Sequence, residues 1–263
     1  MNELDPIAAA EARLGAVLDR LGPLAIAVSG GVDSMTLAFF AHRHGAEMVH
    51  ALSPAVPMAA TERVRRHAVR LGWALTETRA GEFSDPDYLA NPVNRCFFCK
   101  ANLYDRIASL TTRTIASGAN LDDLGDYRPG LLAAAERRVV HPLVEARIDK
   151  RMVRALAARA GLGDLAELPA QPCLSSRVET GIAIDADDLG FIDRVESAVR
   201  GLTGASVETR CRITHQGVVL ELDPDDPTHA DAAAAAMALT AETGRRWAGT
   251  RPYKRGAAFL HKT

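Results

Sequence analysis

Short apolar runs of strand length alternate with segments whose apolar positions recur at helical spacing through the first half of the chain. Leu24-Ala25-Ile26-Ala27-Val28 predicts a first strand, and residues 35–43, after a turn, predict a helix. Residues 47–52 predict a second strand, with Met48, Val49 and Leu52 as its apolar positions. In 61–71, Val64, Ala68 and Leu71 fall on one helical face. Residues 73–78 predict a third strand, 100–110 a helix, 114–117 a fourth strand and Val139-Val140 a short fifth. Such alternation implies a parallel sheet with helices on both faces. Ligands on these sheets bind beyond the carboxyl ends of the strands. The pattern changes near Pro169 and Pro172, which end a helix over 149–160. A helix over 186–202 follows, then strands over 206–214 and 218–222 joined through Gln216-Gly217, then an alanine-rich helix over 228–243. The expected fold class is α/β, with a first domain over 1–168 and a smaller α+β domain over 169–263.

Composition narrows the class. The 263 residues are 48% hydrophobic and 24% charged, enough to bury a core. A net charge of −2 gives no general pull towards nucleic acid or membrane. The acidic start, Met1-Asn2-Glu3-Leu4-Asp5, lacks a basic region followed by an apolar one, and no run is long enough to span a bilayer. The expected location is the cytoplasm. Four cysteines in that setting point to metal binding or catalysis before disulfides.

Chemistry concentrates first in Ser29-Gly30-Gly31-Val32-Asp33-Ser34, between the first strand and its helix. Two glycines let the main chain wrap a phosphate, and the helix N-terminus adds partial positive charge. The spacing fits neither a Walker loop nor a dinucleotide fingerprint. A second polar loop, Ser117-Gly118-Ala119-Asn120-Leu121-Asp122-Asp123-Leu124-Gly125-Asp126-Tyr127-Arg128-Pro129-Gly130, follows the fourth strand. Its carboxylates suit a ribose hydroxyl or Mg2+, and Arg128 suits an anion. Asn94-Arg95-Cys96-Phe97-Phe98-Cys99-Lys100 carries a C-x-x-C, which alone reads as a redox pair, half of a zinc site, iron–sulfur ligands or coincidence. A thioredoxin-like role fits poorly, because the motif does not open a helix after a first strand. Cys173, in Pro172-Cys173-Leu174-Ser175-Ser176-Arg177, is the candidate third ligand, or a nucleophile or sulfur donor in its own right.

SGGVDS resembles the pyrophosphate loop of the ATP pyrophosphatases, which cleave ATP between the α and β phosphates and adenylate a substrate. SGGVDS, NRCFFCK, SGANLDDLGDYRPG, HPLVEARIDK and PCLSSR occur in that order, and over nearly its full length the chain resembles the LarE family of ATP-dependent sulfur transferases. That resemblance implies a pyrophosphate-loop domain. It implies adenylation of a carboxylate of pyridinium-3,5-biscarboxylic acid mononucleotide and its conversion to a thiocarboxylate, towards the nickel-pincer nucleotide of lactate racemase. ATP and Mg2+ would be held by Ser29, Gly30, Gly31, Val32 and Ser34, with Gly118, Asn120, Asp123 and Arg128. Cys173, Asp33, Ser176 and Arg177 would form the catalytic set. Some members give up the sulfur of their own cysteine, at the position of Cys173. Others bind a 4Fe–4S cluster at the positions of Cys96, Cys99 and Cys173, and the presence of all three here favours that type. The sulfur comes from sulfide or another donor, and relatives assemble into homo-oligomers.

Arg210 and Arg212 alternate on a predicted strand, so both face one way and can fork onto a phosphate or carboxylate. Family members have a similar pair. Arg177 suits the substrate's second carboxylate or its phosphate, with a surface ion pair as the plainer reading. Cys211 is expected in the core, and Glu196 and Glu221 are expected as solvated acids. The segment 252–258 departs from the family's glycine-tyrosine-arginine-serine-glycine ending, which leaves Arg255 without an assigned role. The alternatives are a pyrophosphate-loop tRNA thiolase, an amide-forming ligase of the NAD or GMP synthetase type, and an iron–sulfur or zinc carrier. Near-neutral charge weighs against the first. The second has no use for C-x-x-C with Cys173.

Overall fold

The computed structural model describes residues 5–125, 128–204 and 207–253. The chain divides into two compact units, Met1–Asp85 with Asn94–Ala170, and Pro86–Val93 with Gln171–Thr263.

The first unit contains α1 (Pro6–Leu21), β1 (Leu24–Ala27), α2 (Val32–His42), β2 (Glu47–Ala51), α3 (Met58–Leu71) and β3 (Leu75–Thr78). After α4 (Pro86–Leu89), which belongs to the second unit, come α5 (Arg95–Leu110), β4 (Thr114–Ala116), α6 (Pro129–Glu136), α7 (Pro142–Glu145), α8 (Lys150–Arg159) and α9 (Gly163–Ala166). The four strands form one parallel sheet in the order β3-β2-β1-β4. Strand alternation sorts β1 between two cores. Leu24 and Ile26 pack with α1, α2 and α8 on one face, whereas Ala25 packs with Tyr104, Ile107 and Ala134 on the other. Leu14, Leu18, Leu24 and Ile26 are buried, each contributing about 1.5–3 kcal/mol. The expected parallel sheet with helices on both faces is the observed fold.

Several boundaries differ from those the pattern predicts. Val139-Val140 supplies only a single parallel bridge, Ala116 to Val140. The helix expected from residue 100 begins at Arg95, so C-x-x-C occupies its first turn. The motif thus does open a helix, although not the one after the first strand. Helix α1 has no counterpart in the predicted elements. Its signals are an Asp5 N-cap whose side chain accepts from the Ile7 N–H at 3.0 Å, a proline in the first turn and buried Ala10, Leu14 and Leu18 at i, i+4, i+8.

The second unit adds α10 (Ala186–Thr203), β5 (Arg210–Thr214), β6 (Gly217–Leu222), α11 (His229–Glu242) and β7 (Trp247–Pro252) to α4. β5 and β6 pair antiparallel through the expected Gln216-Gly217 turn, and β7 joins β6 in parallel. The last strand is not signalled by the sequence, because Trp247–Pro252 exposes four of its six residues and lacks an apolar alternation. Val178 forms a parallel bridge to Ile213, which ties the segment after Cys173 to the edge of this sheet. No helix of the described residues is long and apolar enough to cross a membrane.

Candidate functional site

The order β3-β2-β1-β4 places the chain reversal between β1 and β4, where open parallel sheets form their crevice. The loop Ser29–Ser34 follows β1, and Ser117–Asn120 follows β4, so both flank that crevice. Gly30 has φ +79°, a left-handed conformation that suits glycine. A Cβ there would stand 2.6 Å from the carbonyl oxygen of Ala60, while the Gly30 carbonyl accepts from Arg63 Nη1 at 2.8 Å. The first turn of α3 therefore braces the loop from behind. Ser34 Oγ lies 3.1 Å from Ser29 Oγ, accepts from the Ser29 N–H at 3.0 Å and donates to the Gly31 carbonyl at 3.3 Å. Gly31 caps α2 without any side-chain hydrogen bond, leaving its first-turn N–H groups without that partner. That geometry and dipole are what an anion site needs.

The other wall approaches closely. A Cβ on Gly118 would stand 2.6 Å from the Ser34 amide nitrogen, so only glycine lets the two loops touch. Asn120, 3% exposed, donates from Nδ2 to Asp33 Oδ1 at 3.2 Å and accepts from the Asp122 N–H at 3.0 Å. Asp123 accepts from the Asn120 N–H at 3.0 Å and pairs with Arg128 at 3.0 Å. Ser34, Asp33, Gly118, Asn120, Asp123 and Arg128 thus form one connected cluster. Lys150, the last residue of HPLVEARIDK, was not among the sequence candidates. Its Nζ meets Asp33 Oδ2 at 2.5 Å, and its N–H donates to Asp122 Oδ2 at 3.2 Å. His141, from the same motif, lies 2.8 Å by Nδ1 from Ser117 Oγ. Burial pushes its pKa below the usual histidine value, opposed by Glu145 and Asp123.

Cys96 and Cys99 are half-buried in the first turn of α5, three residues apart and so on one face. The helix N-terminus favours negative charge there. Cys173 is exposed at the N-cap of a 3-10 turn, Leu174–Arg177, in the second unit. Cys211 is buried, as expected, and burial pushes its thiol well up, with Glu196 adding to the effect. It is therefore a poor thiolate ligand. Among the described residues, no three His, Cys, Asp or Glu side chains gather in an arrangement that holds a metal ion.

The charged residues of the second unit are bound inward. Arg177 is 3% exposed, and its Nε and Nη2 donate to the two oxygens of Glu196 at 2.9 and 3.0 Å. Arg212 donates from Nε to Glu221 Oε2 at 2.7 Å and from Nη1 to the Ser176 carbonyl at 2.8 Å. Arg251 takes the other oxygen of Glu221 at 2.9 Å. Arg210 donates to the Thr209 carbonyl, pairs with Glu208 at 2.8 Å and stacks over Tyr253 at 5.3 Å. Glu196 and Glu221 correct the expectation of solvated acids: they are 2% and 1% exposed and balance buried arginines. No alternation of residue types signals this, because a Glu–Arg pair across a hairpin or between helix and loop has no sequence spacing. The Arg177 ion pair is likewise internal, not at the surface. Arg255 lies outside the described residues.

No family model matches the chain. It is 38% identical over 192 residues to an uncharacterized protein of Synechocystis sp., covering 70% of this chain and 71% of that one. It is 28% identical over 212 residues to the pyridinium-3,5-bisthiocarboxylic acid mononucleotide synthase of Lactiplantibacillus plantarum, covering 78% and 76%. An uncharacterized protein of Methanocaldococcus jannaschii is 26% identical over 141 residues, covering 52% and 54%. With its glycine-braced loop at the sheet crevice and these two longer matches, the chain belongs to the family of the Synechocystis protein, a LarE-like family.

Proposed function

We propose that the protein is an ATP-dependent sulfur transferase that converts a carboxylate of pyridinium-3,5-biscarboxylic acid mononucleotide to a thiocarboxylate. The observation that carries this is the crevice between β1 and β4, where an uncapped helix N-terminus, Ser34, Asp33 and Lys150 converge. Mg-ATP lies there with its β and γ phosphates on the N–H groups of Gly31 to Ser34. Asp33 would hold the Mg2+ that accompanies ATP, and Lys150 beside it would meet the phosphates. Asn120 and Asp123 hold the nucleoside side, with Arg128 beside them. A substrate carboxylate oxygen attacks the α-phosphorus, the bond to the β-phosphate oxygen breaks, and pyrophosphate leaves in the loop. No covalent help is needed at this step, so positioning and charge neutralisation suffice. Sulfur then attacks the acyl carbon and AMP departs with the electron pair of its bond. Where exposed Cys173 supplies that sulfur, its thiolate forms a thioester with the acyl carbon, and loss of the Cα proton with cleavage of the Cβ–S bond releases the thiocarboxylate and leaves a dehydroalanine.

The resemblance to the LarE family, and not the arrangement of the side chains, supports a 4Fe–4S cluster on Cys96, Cys99 and Cys173. Cys96 and Cys99 share a helical face where negative charge is favoured, Cys173 is exposed, and burial excludes Cys211. Such a cluster would supply an iron site left open by three protein ligands, able to carry a hydrosulfide. The similarity to a named synthase supports transfer to a small molecule and does not favour the tRNA thiolase or amide ligase readings.

Linked measurements test the proposal. Pyrophosphate release should require the pyridinium biscarboxylate and disappear in Asp33→Asn. Cys173→Ala should still release pyrophosphate and make no thiocarboxylate; thiocarboxylate at the wild-type rate would refute the sulfur role. Anaerobic iron and acid-labile sulfide should reach about four each per chain and vanish in Cys96→Ala. No iron under strict exclusion of oxygen moves the source to Cys173, and mass spectrometry after one turnover should then find the chain short of the elements of hydrogen sulfide.

A further inference from the structure

We infer that Arg177 is a positioning residue for Cys173, holding both peptide planes that flank the thiol-bearing residue from inside the second unit. This rests on the proposed sulfur role of Cys173, and it replaces a substrate-binding role for Arg177. Nη1 of Arg177 donates to the Pro172 carbonyl at 2.7 Å and lies 3.2 Å from the Cys173 carbonyl. The first carbonyl belongs to the peptide entering Cys173 and the second to the peptide leaving it. Together they fix the two soft dihedrals of Cys173, observed at φ −58° and ψ 153°. Nη1 also donates to Ser176 Oγ at 2.9 Å, and the Ser176 N–H closes the turn on the Cys173 carbonyl at 3.0 Å.

The guanidinium is itself fixed. Its other edge forks onto Glu196, and Glu196 Oε1 also accepts from the Cys211 N–H of β5 at 3.1 Å. Thus sheet, helix α10, arginine and turn form one connected path ending at the Cys173 backbone. Each of its three nitrogens already donates to a protein oxygen and the residue is 3% exposed, which leaves little of it for a substrate anion. Burial opposes its charge, and the Glu196 carboxylate outweighs that opposition, with Cys173 and Tyr253 adding less. Cys173 meanwhile stays exposed. An outward thiol on an inwardly clamped backbone is the arrangement that a reaction with a bound acyl adenylate needs, because attack demands orientation.

Lysine cannot replace this grip, since one ammonium lacks the planar fork that meets Glu196 and both carbonyls at once. The test uses the full chain with Arg177→Lys, reading amide hydrogen exchange by mass spectrometry together with kcat and KM for sulfur transfer. Exchange across residues 173–177 should quicken by about tenfold or more while the β5–β6 ladder is unchanged. At the same time kcat should fall about a hundredfold with KM for the pyridinium substrate unchanged. A turn that exchanges as in wild type, or a loss carried by KM, overturns the inference; the latter restores a substrate-binding role. Exchange that rises equally along the β5–β6 ladder also overturns it, leaving Arg177 as a merely structural residue. Should Arg177→Lys not fold, Glu196→Gln loosens the same fork and should give the same local pattern. If wild type makes no thiocarboxylate at all, the sulfur-transfer reading fails, and the exchange measurement still decides whether Arg177 holds the turn.

Discussion

Gly118 shows how far a single residue sets the site. Its dihedrals are ordinary, so its identity is fixed by space alone: a methyl group would meet the Ser34 amide at 2.6 Å and Ser34 Cα at 2.7 Å. Those atoms are backbone at the start of α2 and cannot swing away. Gly118→Ala should therefore push the two loops apart, destabilising the protein by about 1–3 kcal/mol in urea unfolding and raising the Kd for ATP. Gly125→Ala, in the same loop but with nothing within 4 Å of its Cβ, should leave both unchanged. Equal effects of the two substitutions would sink this account. The glycine-rich turn between β1 and α2 was legible, because small residues between a strand-like and a helix-like run mark a tight connection. Lys150, Glu196 and Glu221 were not legible as site or core residues. Each owes its place to a partner distant in sequence, and charge alone reads as surface.

At the scale of elements, the proposed chemistry rests on helix ends. Helix α2 starts without a side-chain cap, while α8 starts on Asp149, whose carboxylate accepts from the Met152 N–H at 2.7 Å. The contrast has a function in the proposed reaction: one N-terminus is left for a phosphate, and the other is sealed so that Lys150 is held beside the loop. Asp149→Ala should cost about 1 kcal/mol of stability as a lost cap. It should also raise KM for ATP, because the first turn of α8 then frays beneath Lys150. A stability loss with KM for ATP unchanged would separate the cap from the nucleotide site. Boundaries were the least legible feature. The first turn of α5 holds Cys96, Phe97, Phe98 and Cys99, whose types favour neither helix nor loop strongly, and Asn94 at its N-cap makes no side-chain capping bond. Strand β7 is set by its pairing with β6 and not by its own pattern.

At the scale of the whole molecule, pH acts through buried His50 and His67 and half-buried His141, kept neutral chiefly by burial. In His67, Arg70 Nη2 lies 3.1 Å from Nδ1, so this nitrogen accepts; Nε2–H donates to Asp164 at 2.8 Å. In His50, Nδ1–H donates to the Val28 carbonyl at 2.9 Å and Nε2 accepts from Thr61 Oγ1 at 2.9 Å. On gaining a proton, His67 turns its accepting nitrogen into a donor facing the Arg70 donor, whereas the Thr61 hydroxyl can turn to accept from a protonated His50. Burial is the main cause that pushes His50, His67 and His141 below the usual value of 6.5. Below that value the unfolded chain binds protons that the folded chain refuses, so stability rises with pH across this window. The contribution is complete above about pH 6.5 and is lost as pH falls through the lower folded values. The urea midpoint should thus fall between about pH 7 and pH 5, and the fall should be shallower in His67→Gln. Because the Val28 carbonyl held by His50 immediately precedes Ser29, ATP affinity should decline over the same interval in wild type. A midpoint independent of pH there, or an ATP affinity that holds while the midpoint falls, would show that the histidine behind the loop does not govern it.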